Sequence, residues 1–145
     1  MYDAAETFFN AGGAELVVQR AFGATPVNAT ITLDSKITVT SRWPGAYYNA
    51  WTATYTTATT TLTIVKGSRT VTYVGATASA LQAAASVDPD VTVTVSSLPA
   101  GNFGPTALAS GNDDYANVNW TTVLGKVPPA VGPGVIAAPG VNGAA

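Results

Sequence analysis

Between Thr30 and Thr94 apolar residues and threonines take turns along the chain, in runs such as Thr30-Ile-Thr-Leu33, Ile37-Thr-Val-Thr40 and Val91-Thr-Val-Thr-Val95. A period of two sends successive side chains to opposite faces of a pleated strand. Each run then has one apolar face to bury and one hydroxyl face to wet, and β-branched Val, Ile and Thr suit such a half-buried surface. The pattern predicts several amphipathic strands around one shared core.

Turn residues divide the pattern. Strands are expected at Thr30–Leu33, Ile37–Thr40, Ala50–Thr57, Thr60–Val65, Thr70–Val74 and Val91–Val95. Asp34-Ser-Lys36 and Lys66-Gly-Ser-Arg69 read as hairpin turns, and Arg42-Trp-Pro-Gly-Ala46 interrupts the sheet pattern. A turn at Trp43-Pro44-Gly45 is expected to return the chain to the domain, with Trp43 or Trp51 against its base. Ala-rich Thr77–Val87 reads as a helix that Asp88-Pro-Asp90 ends. Ile31, Leu33, Ile37 and Val39 fall on one face, and Ile64, Val65, Val71, Val91 and Val93 are expected to join them in the core.

The flanks read differently. Tyr2 to Ala11 has helical spacing, with Asp3 as N-cap and Glu6 three residues on, and Gly12-Gly13 stops it. Glu15 to Ala21 reads as a buried strand. Beyond Ser97 the chain loosens through Leu98-Pro-Ala-Gly-Asn-Phe-Gly-Pro105. A helix over Tyr115–Lys126 and a short strand at Val135–Ala138 follow. The expected fold is mainly β (α+β): a sandwich or partly closed barrel of about six strands with one packed helix, flanked by helix-strand pieces of an α/β core. The expected domains are 1–28, the start of that core; 29–97, an inserted β domain; and 98–145, a linker, helix and return to the core. Residues 2–21 and 116–138 are expected to lie near one another, since an inserted domain must leave and rejoin its core at neighbouring points.

The chemistry present excludes several classes. With no His and no Cys in 145 residues, the commonest general base, thiolate nucleophile and soft metal ligands are missing, and no Ser can be activated by His. Most of the eight acidic residues stand alone, so paired-carboxylate catalysis has little to use. A net charge of −2 with scattered Arg20, Lys36, Arg42, Lys66, Arg69 and Lys126 points away from nucleic acid. No apolar run reaches membrane-spanning length, and Met1-Tyr-Asp-Ala-Ala-Glu6 lacks the features of a secretory signal. Asn112-Asp113-Asp114 and Asp88-Pro-Asp90 do not have calcium-loop spacing and read as helix punctuation. No enzyme active site, cofactor or metal is expected. Trp43, Tyr47, Tyr48 and Trp51 leave one alternative open, an adhesin-like or carbohydrate-binding β-sandwich that stacks sugars on aromatic faces.

In order along the chain, four motifs resemble those of contractile-tail sheath proteins of phages and related injection machines. The first is Phe8-Phe9-Asn-Ala-Gly12-Gly13 followed by Val17-Val-Gln-Arg20. The second closes an alternating strand with Pro44-Gly45-Ala-Tyr-Tyr-Asn49. Leu108-Ala-Ser-Gly111-Asn-Asp113-Asp114 is the third, and Gly132-Pro-Gly134-Val-Ile-Ala-Ala-Pro139-Gly140 the fourth. Tyr47, Tyr48, Ser110 and Asp114 depart from the family pattern, each standing where the family has Trp or Gly. The resemblance implies a non-enzymatic structural protein of the virion tail, made in the host bacterial cytoplasm, whose partners are identical sheath subunits and the tail tube protein. It implies further that outward-facing β domains are inserted in an α/β core, and that the family's core and terminal arms extend beyond the stretch present here.

Overall fold

In a computed structural model, the structure describes residues 21–126 together with Asn10 and Gly12. Apart from Asn10, which is helical, and Ala21, the helix expected at Tyr2–Ala11 and the strands expected at Glu15–Ala21 and Val135–Ala138 lie outside the described residues. The chain divides into two units, one running from Phe22 to Val118 and the other made of the two ends, 1–21 and 119–145.

The Phe22–Val118 unit is mainly β, with seven strands in two antiparallel sheets. Strands β1 (Asn28–Leu33), β2 (Ile37–Pro44) and β6 (Val91–Val95) form the first sheet in the order β1-β2-β6. Strands β3 (Thr52–Thr56), β4 (Thr61–Lys66), β5 (Arg69–Val74) and β7 (Phe103–Ala107) form the second in the order β5-β4-β3-β7. Alternation does what the sequence predicts. Ile37 and Val39 of β2, Ala53 and Tyr55 of β3, Leu62 and Ile64 of β4, and Val91, Val93 and Val95 of β6 are buried in one cluster shared by both sheets. On the outer face the threonines pair across strands, Thr30 with Thr40 at 3.1 Å and Thr32 with Thr38 at 3.0 Å.

The β1–β2 hairpin turns through Asp34 and Ser35, both at positive φ (49° and 52°), the twist a tight hairpin needs. Helix α1 (Ala78–Ala85) is capped by Thr77, whose side chain accepts from the Ala80 N–H at 3.2 Å. It links β5 of one sheet to β6 of the other and packs on both, burying Leu81 and Ala85 in the shared core. Gln82 accepts the β6-edge Val95 N–H at 2.8 Å, so the helix also supplies a bond the strand would otherwise lack.

Three details differ from expectation. Val65 is only half-buried, because Leu62 and Ile64 already set the inward register of β4, and the next inward position falls to Lys66. The stretch expected to be loose holds β7, which contains Gly104 and Pro105. Such residues weaken a strand signal, yet they are tolerated here because β7 is the outer strand of its sheet. The helix expected over Tyr115–Lys126 is split into a 3-10 turn at Tyr115–Asn117 and helix α2 (Trp120–Leu124). Asn119 divides them by capping the second, its side chain accepting from the Thr122 N–H at 3.0 Å.

Candidate functional site

Outside the regular sheets, backbone bonds gather at a neck where the chain enters and leaves the Phe22–Val118 unit. The inbound and outbound segments run antiparallel. Val27 and Asn112 exchange backbone bonds at 2.8 and 2.9 Å, Thr30 and Ala109 exchange two more at 2.9 Å, and the Gly23 N–H reaches the Asp113 carbonyl at 2.9 Å. The outbound segment is the continuation of β7, so the same chain passes from the edge of the second sheet to the edge of the first.

A bulge aims the Pro44–Asn49 turn at this neck. Between the pairs Thr30–Thr40 and Asn28–Pro44 the register of β1 on β2 shifts, and buried Ser41 fills the irregularity. Its Oγ accepts the Ala29 N–H at 2.9 Å and donates to the Trp43 carbonyl at 2.8 Å. Gly45 follows with φ 142°, a conformation closed to ordinary side chains, and its N–H donates to the Val27 carbonyl at 3.1 Å. A 3-10 turn, Ala46–Ala50, then presents Asn49. Its Oδ1 accepts the Gly111 N–H at 2.8 Å while its Nδ2 donates to the Gly111 carbonyl at 3.0 Å, a reciprocal pair spanning 62 positions of sequence. The Ala46 N–H donates to Asp113 Oδ2 at 3.0 Å.

Thus Gly45 and Asn49 of the second motif meet Gly111 and Asp113 of the third, with Pro44 paired in register beside Asn28. Of the other motif positions, Phe8, Phe9, Gly13, Arg20, Gly134, Pro139 and Gly140 lie outside the described residues, and Gly12 takes φ 90°. Asp114 closes the neck from outside. Its carboxylate accepts from the Thr25 N–H at 2.9 Å, the Thr25 hydroxyl at 3.1 Å and Asn117 Nδ2 at 2.7 Å. These donors, the Thr25 backbone N–H foremost, hold its carboxyl below the ordinary carboxylate range.

A second cluster was not anticipated. Lys66 Nζ lies 2.6 Å from both carboxylate oxygens of Asp88 and 3.0 Å from Asp90 Oδ2, with the Lys66 and Asp88 side chains only 3% and 2% exposed. The Tyr73 hydroxyl donates to Asp88 Oδ2, and the Asp90 N–H donates to Asp88 Oδ1 at 2.8 Å. The Trp51 ring covers the ammonium from 5.4 Å. Counting by twos from Leu62 through Ile64 would have placed Lys66 inward, and an inward ammonium requires a carboxylate partner.

Of the four aromatic residues, Trp51 and Tyr48 are packed against the core while Trp43 and Tyr47 stay exposed. Trp51 is buried at the base of the turn and makes edge-on contacts with Tyr48 and Tyr47, ring centres 4.8 and 6.0 Å apart. Only Trp43 (55%) and Tyr47 (66%) of the four present much surface. Tyr47, Tyr48 and Trp51 meet edge-on, so these three rings do not form one flat platform.

Among the described residues, no helix is long and apolar enough to cross a membrane. Compared with known proteins, the chain matches no family model, no curated protein and no solved structure.

Proposed function

We propose that this chain is part of a contractile-tail sheath subunit, its Phe22–Val118 unit being a β domain inserted in the subunit's core. The observation that carries the reading is the neck. The inbound and outbound segments are hydrogen-bonded side by side from Gly23–Asp113 to Thr30–Ala109, as an inserted domain requires. Two of the four motifs that resemble the sheath family meet at that neck through Asn49 and Gly111.

On this reading the chain works by architecture and not by catalysis. Sheath subunits stack head-to-tail in an open helical array around the tail tube. The array has an extended and a contracted packing, and the difference between them drives the tube through the host envelope without a nucleotide. Identical subunits and the tube protein are the partners, and the contractile tail is the location.

The test is immunolabelling of purified contractile virions with antibody raised against this chain. Label repeating along the outside of the tail, in extended and contracted particles, is expected. Label restricted to fibres, baseplate or capsid would overturn the proposal. Glycan binding that quenches tryptophan fluorescence would instead favour the sugar-binding reading.

A further inference from the structure

We propose that Lys66 and Asp88 condense spontaneously into an intramolecular isopeptide bond that ties one sheet to the other. Lys66 ends β4 of the four-stranded sheet, and Asp88 lies in the connection leading into β6 of the three-stranded sheet. The inference is independent of the sheath assignment.

The geometry is that of a poised reaction. Lys66 Nζ sits 2.6 Å from both Asp88 oxygens. Covalent dimensions then place the Asp88 carboxyl carbon no farther than about 3 Å from the nitrogen, within the near-attack range. Both side chains are almost wholly shielded from water, which disfavours the reverse hydrolysis. A second carboxylate, Asp90, touches the same nitrogen at 3.0 Å and remains 37% exposed, so it can exchange protons with solvent.

The residues divide the work. The ammonium passes a proton by way of Asp90 Oδ2 to Asp88 Oδ2, leaving Asp88 a neutral acid, and the freed lone pair on Nζ attacks Asp88 Cγ. The Asp90 N–H holds the Oδ1 that remains, and the Tyr73 hydroxyl donates to the Oδ2 that departs. The nitrogen gives up a second proton as the tetrahedral centre collapses. The two protons leave with Oδ2 as one water, the third stays on the amide nitrogen, and Asp90 and Tyr73 end as they began. One C–N bond forms, one C–O bond breaks, and no oxidant or co-reactant is required.

Intact-mass measurement of the purified full chain, held at neutral pH until its mass is constant, decides the question. The expected result is a chain one water lighter than its sequence mass, with proteolysis yielding a branched peptide joined through Lys66 and Asp88. Lys66→Met should restore the mass expected of its sequence. Asp90→Asn retains both reacting groups and should slow the water loss at least tenfold. Wild-type chain at the full sequence mass, or a water loss mapped anywhere else, would overturn the bond. Unchanged kinetics in Asp90→Asn would overturn the assigned route.

Discussion

A Cβ added to Gly111 would stand 2.4 Å from the Gly45 carbonyl oxygen, 2.8 Å from Asn49 Oδ1 and 2.9 Å from Ala29 Cβ. The nearest of these is backbone, and the Asn49 amide is itself held by the Gly111 N–H and carbonyl, so neither can simply swing aside. Gly111→Ala should therefore open the neck and cost about 2 kcal/mol or more in denaturant unfolding, whereas Gly101→Ala, whose nearest neighbour is the Phe103 ring edge at 3.9 Å, should change little. Equal effects of the two would show that the neck tolerates a wider separation. Asp114 makes the second residue-scale prediction. Its carboxyl titrates lower in the folded chain than in the unfolded one. The stability it adds is thus present above its unfolded value and is lost as pH falls through its folded value. Following the Thr25 amide by NMR should reveal that acid transition, and Asp114→Asn should abolish it. A Thr25 titration unchanged in the variant would assign the transition to another group.

At the scale of elements, helix α1 couples the two sheets where neither strand ladder does. Leu81 is fully buried between β5 and β6, and Leu81→Ala should cost about 2–5 kcal/mol. Chemical unfolding that shows less than 1 kcal/mol, on the order of a surface change, would mean the helix is only draped on the sheets. Strands β1 to β6 and this helix were legible in the sequence because burial on one face imposes a strict period of two or of 3.6. β7 was not, since its place is secured by backbone bonds to β3 and its Gly-Pro pair mimics a loop. Of the candidate site, Pro44, Gly45, Asn49, Gly111 and Asp113 could be picked out one motif at a time. Their convergence could not, because reciprocal bonds across 62 positions leave no local periodicity. The Lys66 cluster escaped for a related reason: its lysine borders a turn, and the carboxylates that partner it lie 22 and 24 residues away.

For the unit as a whole, the seven strands and α1 pack on one shared core, while at the neck the inbound and outbound backbone run side by side. That arrangement decides how the unit responds to tension. Pulled by residues 22 and 118, the inbound and outbound segments would separate from the same end, loading Gly23–Asp113 first, then Val27–Asn112, then Thr30–Ala109. Bonds strained in turn yield at far lower force than bonds strained together. Single-molecule stretching from those positions should show a small early lengthening before the main rupture; one abrupt high-force event would argue that the rungs share the load. The neck is thus a zipper whose outer rungs give before the load reaches β1 and the sheets behind it.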